Sequence, residues 1–335
     1  ARRLKRWGMS EPLGEGSYDR IRSRLEERSP RASRKAYAQA HIEETVTHYL
    51  GHPGCGGLEN VAEFLHGSLS FGVGFRPLLG TLPLHEFFDL ADLETLGRVS
   101  GIAIGSLNEV EKAIGDLIAR AIERGVVGLK DHAAYTRRLR FGPADRSGAQ
   151  KELQFLLSGE RFDQGARLLS DYVFHHIVQL SIDHGVPMVI HTGYLVGNAD
   201  PKANVRLLAP ILECYPSARF DLYHLNYPWF EDLFAVLKRF PNTWANCCWA
   251  HIIDPAGTRQ FLRRALGTIP ANHIFGYGGD FVDLPEPVLA HLDIARDNIA
   301  AVLAEAVRDG WCSRHIALEV AHLWLYENPK AFYHL

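Results

Sequence analysis

The sequence predicts an α/β chain folded as a (β/α)8 barrel, and three observations lead there. Short β-rich runs alternate with helical runs along most of its length, a rhythm that gives parallel strands joined by helical crossovers. Polar residues able to do chemistry recur where the β-rich runs end, and a barrel assembles its site from strand C-termini. The competing doubly wound sheet would carry a GxGxxG turn after an early strand, and none is present.

Seven runs read as strands: 42–51, 71–80, 126–130, 186–191, 218–224, 243–249 and 273–279. A closed barrel needs one more, so its first strand is expected upstream of Ala1 or missing. Residues 17–41 read as helix, broken near Pro30. "LENVAEFLHG" is a short helix, and 84–124 is helical, with "SLNEVEKAIGDLIARAIERG" placing apolar residues at helical spacing and stopping at Gly125. An Arg-rich polar loop spans 131–148. "DQGARLLSDYVFHHIVQLSIDHG" is helix closed by Gly185; further helices are expected over 203–214, 229–239, 256–267, 286–309 and about 314–325. The expectation is one domain over 1–335, with 1–41 a helical N-terminal segment and 310–335 a C-terminal helical tail.

A net charge of −3 gives no basic face for nucleic acid or an anionic membrane. No apolar stretch approaches the roughly 20 residues that span a bilayer. Cys55, Cys214, Cys247, Cys248 and Cys312 show no CxxC spacing, so neither a disulfide framework nor a cysteine zinc site is indicated, and a cytoplasmic setting fits. The opening segment lacks the apolar core of a signal peptide, and its start at Ala1 suggests part of a longer chain. Seventeen histidines invite a search for metal ligands.

"VPMVIHTGY" ends on His191, "RFDLYHLNYPW" reaches His224 and "IFGYGGDF" reaches Asp280. In a barrel these ends converge, so Arg76, Lys130, His191, His224, Trp249 and Asp280 are expected at one mouth. Two imidazoles and a carboxylate suit a divalent transition metal, and an acid beside the metal can take a proton from water. Arg76 and Lys130 suit a carboxylate-bearing substrate, with Trp249 and Tyr194 as walls. His251 and Asp254 could also line the mouth. Cys247 and Cys248 read as small core residues, and His175–His176 as a helix-face pair. "TRRLR" (136–140) reads as a solvated loop face or, more sharply, as a lid over an anionic substrate.

"GVVGLK", "VPMVIHTG", "FDLYHLNYPW" and "HIFGYGGDF", in that order with helices between, resemble the amidohydrolase superfamily of metal-dependent barrels over residues 42–335. More narrowly the chain is similar to the branch of amino-carboxymuconate-semialdehyde-type decarboxylases and related hydrolases. "RDGW" and "YENPKAFY" are similar to uronate isomerases. The resemblance implies that His191, His224 and Asp280 bind metal or work beside it. Lys130 matches a fourth-strand lysine that bridges two metals in some members. The superfamily's HxH motif on the first strand is absent; His41 and His48 lie seven apart near the second. One explanation, a first strand preceding Ala1, covers both the missing motif and the missing strand; the competing one is a member that has lost its metal.

The expected function is a metal-dependent hydrolase acting on a small, carboxylate-bearing substrate through a metal-activated water, with Asp280 as base and His224 stabilising the oxyanion. A decarboxylase, a uronate-isomerase-like enzyme and a metal-free ligand-binding barrel are the alternatives. The cofactor expected is Zn²⁺, with Mn or Fe as alternatives, and the partner a small molecule. Pairing of outer helices would make a homo-oligomer.

Overall fold

The computed structural model describes residues 16, 17, 19, 37–281 and 285–335. The expected N-terminal helix of 17–41 falls mainly outside these.

All seven expected strands form: β1 Thr45–Leu50, β2 Phe75–Gly80, β3 Gly128–Asp131, β4 Met188–His191, β5 Phe220–Tyr223, β6 Thr243–Cys248 and β7 Ile274–Gly278. They pair in sequence order and every pair is parallel. The sheet curls as seven strands of a (β/α)8 barrel, and among the described residues no strand joins β7 back to β1. Helices fill the crossovers, among them Leu107–Glu123, Arg167–Asp183, Phe230–Arg239 and Pro255–Ala265. Ser106 caps the first of these by accepting from Glu109 N.

The central strands β3–β6 are largely buried on both faces, and their alternation sorts side chains into two environments. Leu79, Leu129, Met188, Ile190, Phe220, Leu222, Ala245 and Ile274 point outward into the large core beneath the helices. Leu78, Val189 and Phe275 point inward and pack with Phe332 and Tyr333 of the C-terminal helix Asn328–Tyr333, which plugs the barrel floor. Asn328 fastens that plug by donating to Ala271 O and Ile274 O, both at 2.8 Å.

Residues in phase with the inward set are polar. Lys130 pairs in register with Val189, and Val189 with Asp221; one pleat further, His191 pairs with Tyr223. Lys130 and Asp221 thus share the floor layer with Val189, and His191 lies one pleat nearer the mouth. Asp221 accepts from Tyr333 Oη and, at 2.9 Å, from Asn246 Nδ2.

Three expectations change. The run 71–80 begins as loop, and its strand starts only at Phe75. The loop of 131–148 ends in an unforeseen helix, Arg146–Leu157, capped by Asp145. The C-terminal helix is interrupted by a wider π-type turn at Leu323–Glu327. Among the described residues no helix is long and apolar enough to cross a membrane.

Candidate metal centre

His191 is the last residue of β4, and His224 directly follows β5. Their hydrogen bonds fix both tautomers. His224 Nδ1 lies 2.9 Å from Cys248 O, and a carbonyl only accepts, so Nδ1 carries the proton. His191 Nε2 lies 3.0 Å from Tyr194 O and carries its proton for the same reason. The remaining nitrogens, His191 Nδ1 and His224 Nε2, face each other at 3.1 Å. In the neutral rings both are bare lone pairs.

Two lone pairs so close repel unless a cation lies between or beside them. A proton is a poor choice: burial, with His224 and Lys130 nearby, holds His191 well below the usual imidazole range. Burial likewise brings His224 down to about 4, although Asp280 pulls the other way. A metal ion fits better. Two Zn–N bonds of ~2.0–2.1 Å separate their nitrogens by about 2.8–3.4 Å for angles between 90° and tetrahedral. Asp280 Oδ2 lies 4.0 Å from His224 Nε2, where a carboxylate could serve as an anionic ligand. Cys248 Sγ joins His224 and Asp280 in a group whose ligand atoms all lie within 4.8 Å of one another. The donor set of imidazole, carboxylate and thiol suits a borderline transition metal. Without one, burial pushes the Cys248 thiol well up, so it stays protonated.

The backbone at this mouth is strained. His224, Trp249 and Asp280 follow β5, β6 and β7, and they take left-handed φ values of 67°, 58° and 54°. Non-glycine residues adopt this region at a cost, typically where a site demands it. Leu225 and Asn226 are left-handed as well, and Asn226 holds the turn by accepting from Val205 N at 2.8 Å and donating to Trp229 O at 2.8 Å. Gly193 is why β4 can approach this turn: a Cβ there would lie 2.4 Å from Asn226 C.

Lys130 lies on the floor below. Its Nζ sits 3.7 Å over the Tyr223 ring and has no hydrogen-bond partner among the described residues. Burial brings it down to about 8, with Cys248, Asp280 and Asp221 opposing. Asp221, beneath, is pushed up to about 7 by burial. Tyr194 and Trp249 meet at the rim with ring centroids 6.3 Å apart, and Tyr135 lies 4.8 Å from His191.

Other candidates fall elsewhere. Arg76 is the second residue of β2, at the opposite end of the barrel from the mouth, and its guanidinium grips Glu44 with contacts of 2.7 and 3.0 Å. His251 is spent within the fold, its Nε2 donating to Gly276 O at 2.9 Å and its Nδ1 accepting from Asn298 Nδ2 at 3.2 Å, and Asp254 caps the helix Pro255–Ala265. Arg137 is buried against Asp171 at 2.5 Å and Ser170 at 3.0 Å and anchors the loop, while Arg138 and Arg140 are exposed, as expected of a solvated face. His175 bonds Tyr215 Oη and Gly142 O, a structural role.

The expected site set omitted three residues. His48 in β1, His52 just after it and His132 just after β3 bring their ligand atoms within 4.8 Å of one another. His132 continues the ring chain to His191, with centroids 5.7 Å apart.

Comparisons with known proteins agree with this architecture. A uronate isomerase of Rhizorhabdus wittichii is 26% identical over 287 residues, 78% of this chain. The chain spans about three fifths of that relative's length, 59%. The crystal structure of a uronate isomerase from Thermotoga maritima superposes with a TM-score of 0.77 at 16% identity, covering 98% of this chain and 76% of that one. A glucuronate isomerase from Caulobacter crescentus gives 0.72 at 20% identity, covering 98% and 72%. The family model described as amidohydrolase matches residues 86–335, three quarters of the sequence and every strand from β3 onward. The chain belongs to the amidohydrolase family.

Proposed function

We propose that the chain is a metal-dependent isomerase that interconverts the aldose and ketose forms of a small sugar acid, a uronate. The observation that carries the metal is the pair of facing lone pairs on His191 and His224 beside Asp280. The choice of isomerisation rests on the 26% identical uronate isomerase. The ligands would be His191 Nδ1, His224 Nε2 and Asp280, with Cys248 Sγ within reach.

The reaction moves one proton from C2 to C1 while the hydroxyl proton passes from O2 to O1; nothing is consumed. When bound, a divalent ion polarises the two oxygens and steadies the enediolate's charge. The Asp280 side chain is 46% exposed to the mouth and is the base that carries the carbon-bound proton. Lys130, buried and without an acceptor among the described residues, turns a positive charge towards the developing anion. Tyr194, Tyr135 and Trp249 wall the opening with aromatic faces and hydroxyls suited to a sugar.

Hydrolysis would use the same acid to take a proton from water. The two uses separate by proton NMR in D₂O with hexuronates, alongside a panel of lactones and amides. Ketose formation with deuterium entering at the transferred position supports isomerisation. Hydrolysis of a lactone or amide, with uronates untouched, overturns it.

A further inference from the structure

We propose that His48, His52 and His132 form a second transition-metal site, separate in its ligands from the centre at His191, His224 and Asp280. The proposal goes beyond the isomerase reading and does not depend on it.

The three rings come from three places in the chain: the body of β1, the turn that follows it, and the residue after β3. They nevertheless form one cluster. His48 and His132 stack at 4.2 Å between centroids, and His52 meets them edge-on at 5.0 and 5.3 Å. One ligand nitrogen from each lies within 4.8 Å of the other two. Three imidazole nitrogens this close could be gathered by one ion, with positions left for water or a substrate oxygen.

A purely structural cluster would spend its nitrogens on hydrogen bonds. Here His48 Nε2 is buried with no partner among the described residues. His52 Nδ1 accepts from Gly54 N at 3.0 Å in an exposed turn; ligation through either nitrogen releases that amide to water. Lys130 opposes a cation here by its charge, while the field of Asp280 reaches His52 and favours one.

Three neutral imidazoles without a carboxylate select the ion. Mg²⁺ and Ca²⁺ want oxygen ligands, whereas Zn²⁺, Co²⁺ and Ni²⁺ accept nitrogen. With His132 and His191 at 5.7 Å between ring centroids, the second ion would adjoin the first and face the same mouth.

The test is Co²⁺ loading of the chelator-stripped chain, followed by elemental analysis and the visible d–d spectrum. The wild type is expected to hold two ions per chain. His48→Asn with His132→Asn should hold one and keep the spectrum of the first centre. His191→Asn with His224→Asn should hold one and keep the other spectrum. Circular dichroism melting of each variant separates ligand loss from unfolding, and the single His132→Asn serves if the double variant does not fold. A wild type that holds one ion, lost with His224→Asn and untouched by His132→Asn, overturns the second site. Isomerase assays run separately, so an inactive chain holding two ions would overturn the proposed reaction and leave this site standing.

Discussion

His191 Nδ1 and His224 Nε2 stand 3.1 Å apart, and both of the protons that could have joined them are engaged on the far sides of the rings by Tyr194 O and Cys248 O. Two backbone carbonyls thus aim two lone pairs at one point. The tautomers are set by acceptors that cannot change role, so this pairing is built into the fold.

Metal binding should stabilise the chain, because an ion that binds only the folded form adds about 2.7 kcal/mol at a hundredfold excess over Kd. In a domain this large that raises Tm by about 3–5 °C. We expect Zn²⁺ to give such a rise in the wild type and a smaller one in His224→Asn, measured by calorimetry after chelator treatment. Equal rises in both would remove His224 from the ligand set.

Asp221 gives a pH signature. Its folded pKa is raised to about 7, above the ordinary carboxyl value of about 3.9, so the folded state binds the proton more tightly than the unfolded state. Stability contributed by the neutral acid is present below the unfolded pKa and falls as pH rises from about 4 to about 7. Asp221→Asn, neutral at every pH, should flatten that slope and compare better with the wild type at pH 8 than at pH 5. Urea midpoints at both values decide it; parallel pH slopes in the two proteins would show that Asp221 is ionised throughout.

Gly193→Ala tests the junction between β4 and β5. The glycine has φ +73°, and a methyl would meet Asn226 C at 2.4 Å and Tyr227 N at 2.6 Å, all backbone. Strain and overpacking together should cost about 2–4 kcal/mol and loosen metal affinity by moving His191 from His224. Retention of wild-type Tm and metal affinity would falsify the close approach.

Arg76→Ala should leave turnover within about twofold and stability within about 1 kcal/mol, as expected for an exposed ion pair, here with Glu44. Steady-state kinetics on whichever substrate the chain turns over suffices. A large rise in KM would put Arg76 back at the mouth.

Much of the site was legible because an apolar run that ends on a polar residue marks both a strand and its direction. His191, His224 and Asp280 were found this way, and the structure places His191 against His224 and His224 near Asp280. Arg76, which does not end its run, was misplaced. The run 71–80 looks like one strand, but Phe71–Gly74 are loop, so Arg76 falls at the strand's start. His52 and His132 also follow strands, β1 and β3, and were not singled out. Cys248 looked like core beside Cys247; alternation turns Cys247 to the helices and leaves Cys248 with His224 and Asp280.

The sequence by itself determined the strand and helix alternation, the seven parallel strands and the residues that end three of them. Those are local matters of periodicity, β-propensity and glycine stops. Only the tertiary structure decided which nitrogens face one another, that Tyr333 reaches Asp221 from the floor, and that His48, His52 and His132 meet. These depend on register between strands and on carbonyls far along the chain. A buried imidazole takes its tautomer and its pKa from such neighbours, which the sequence near it does not name.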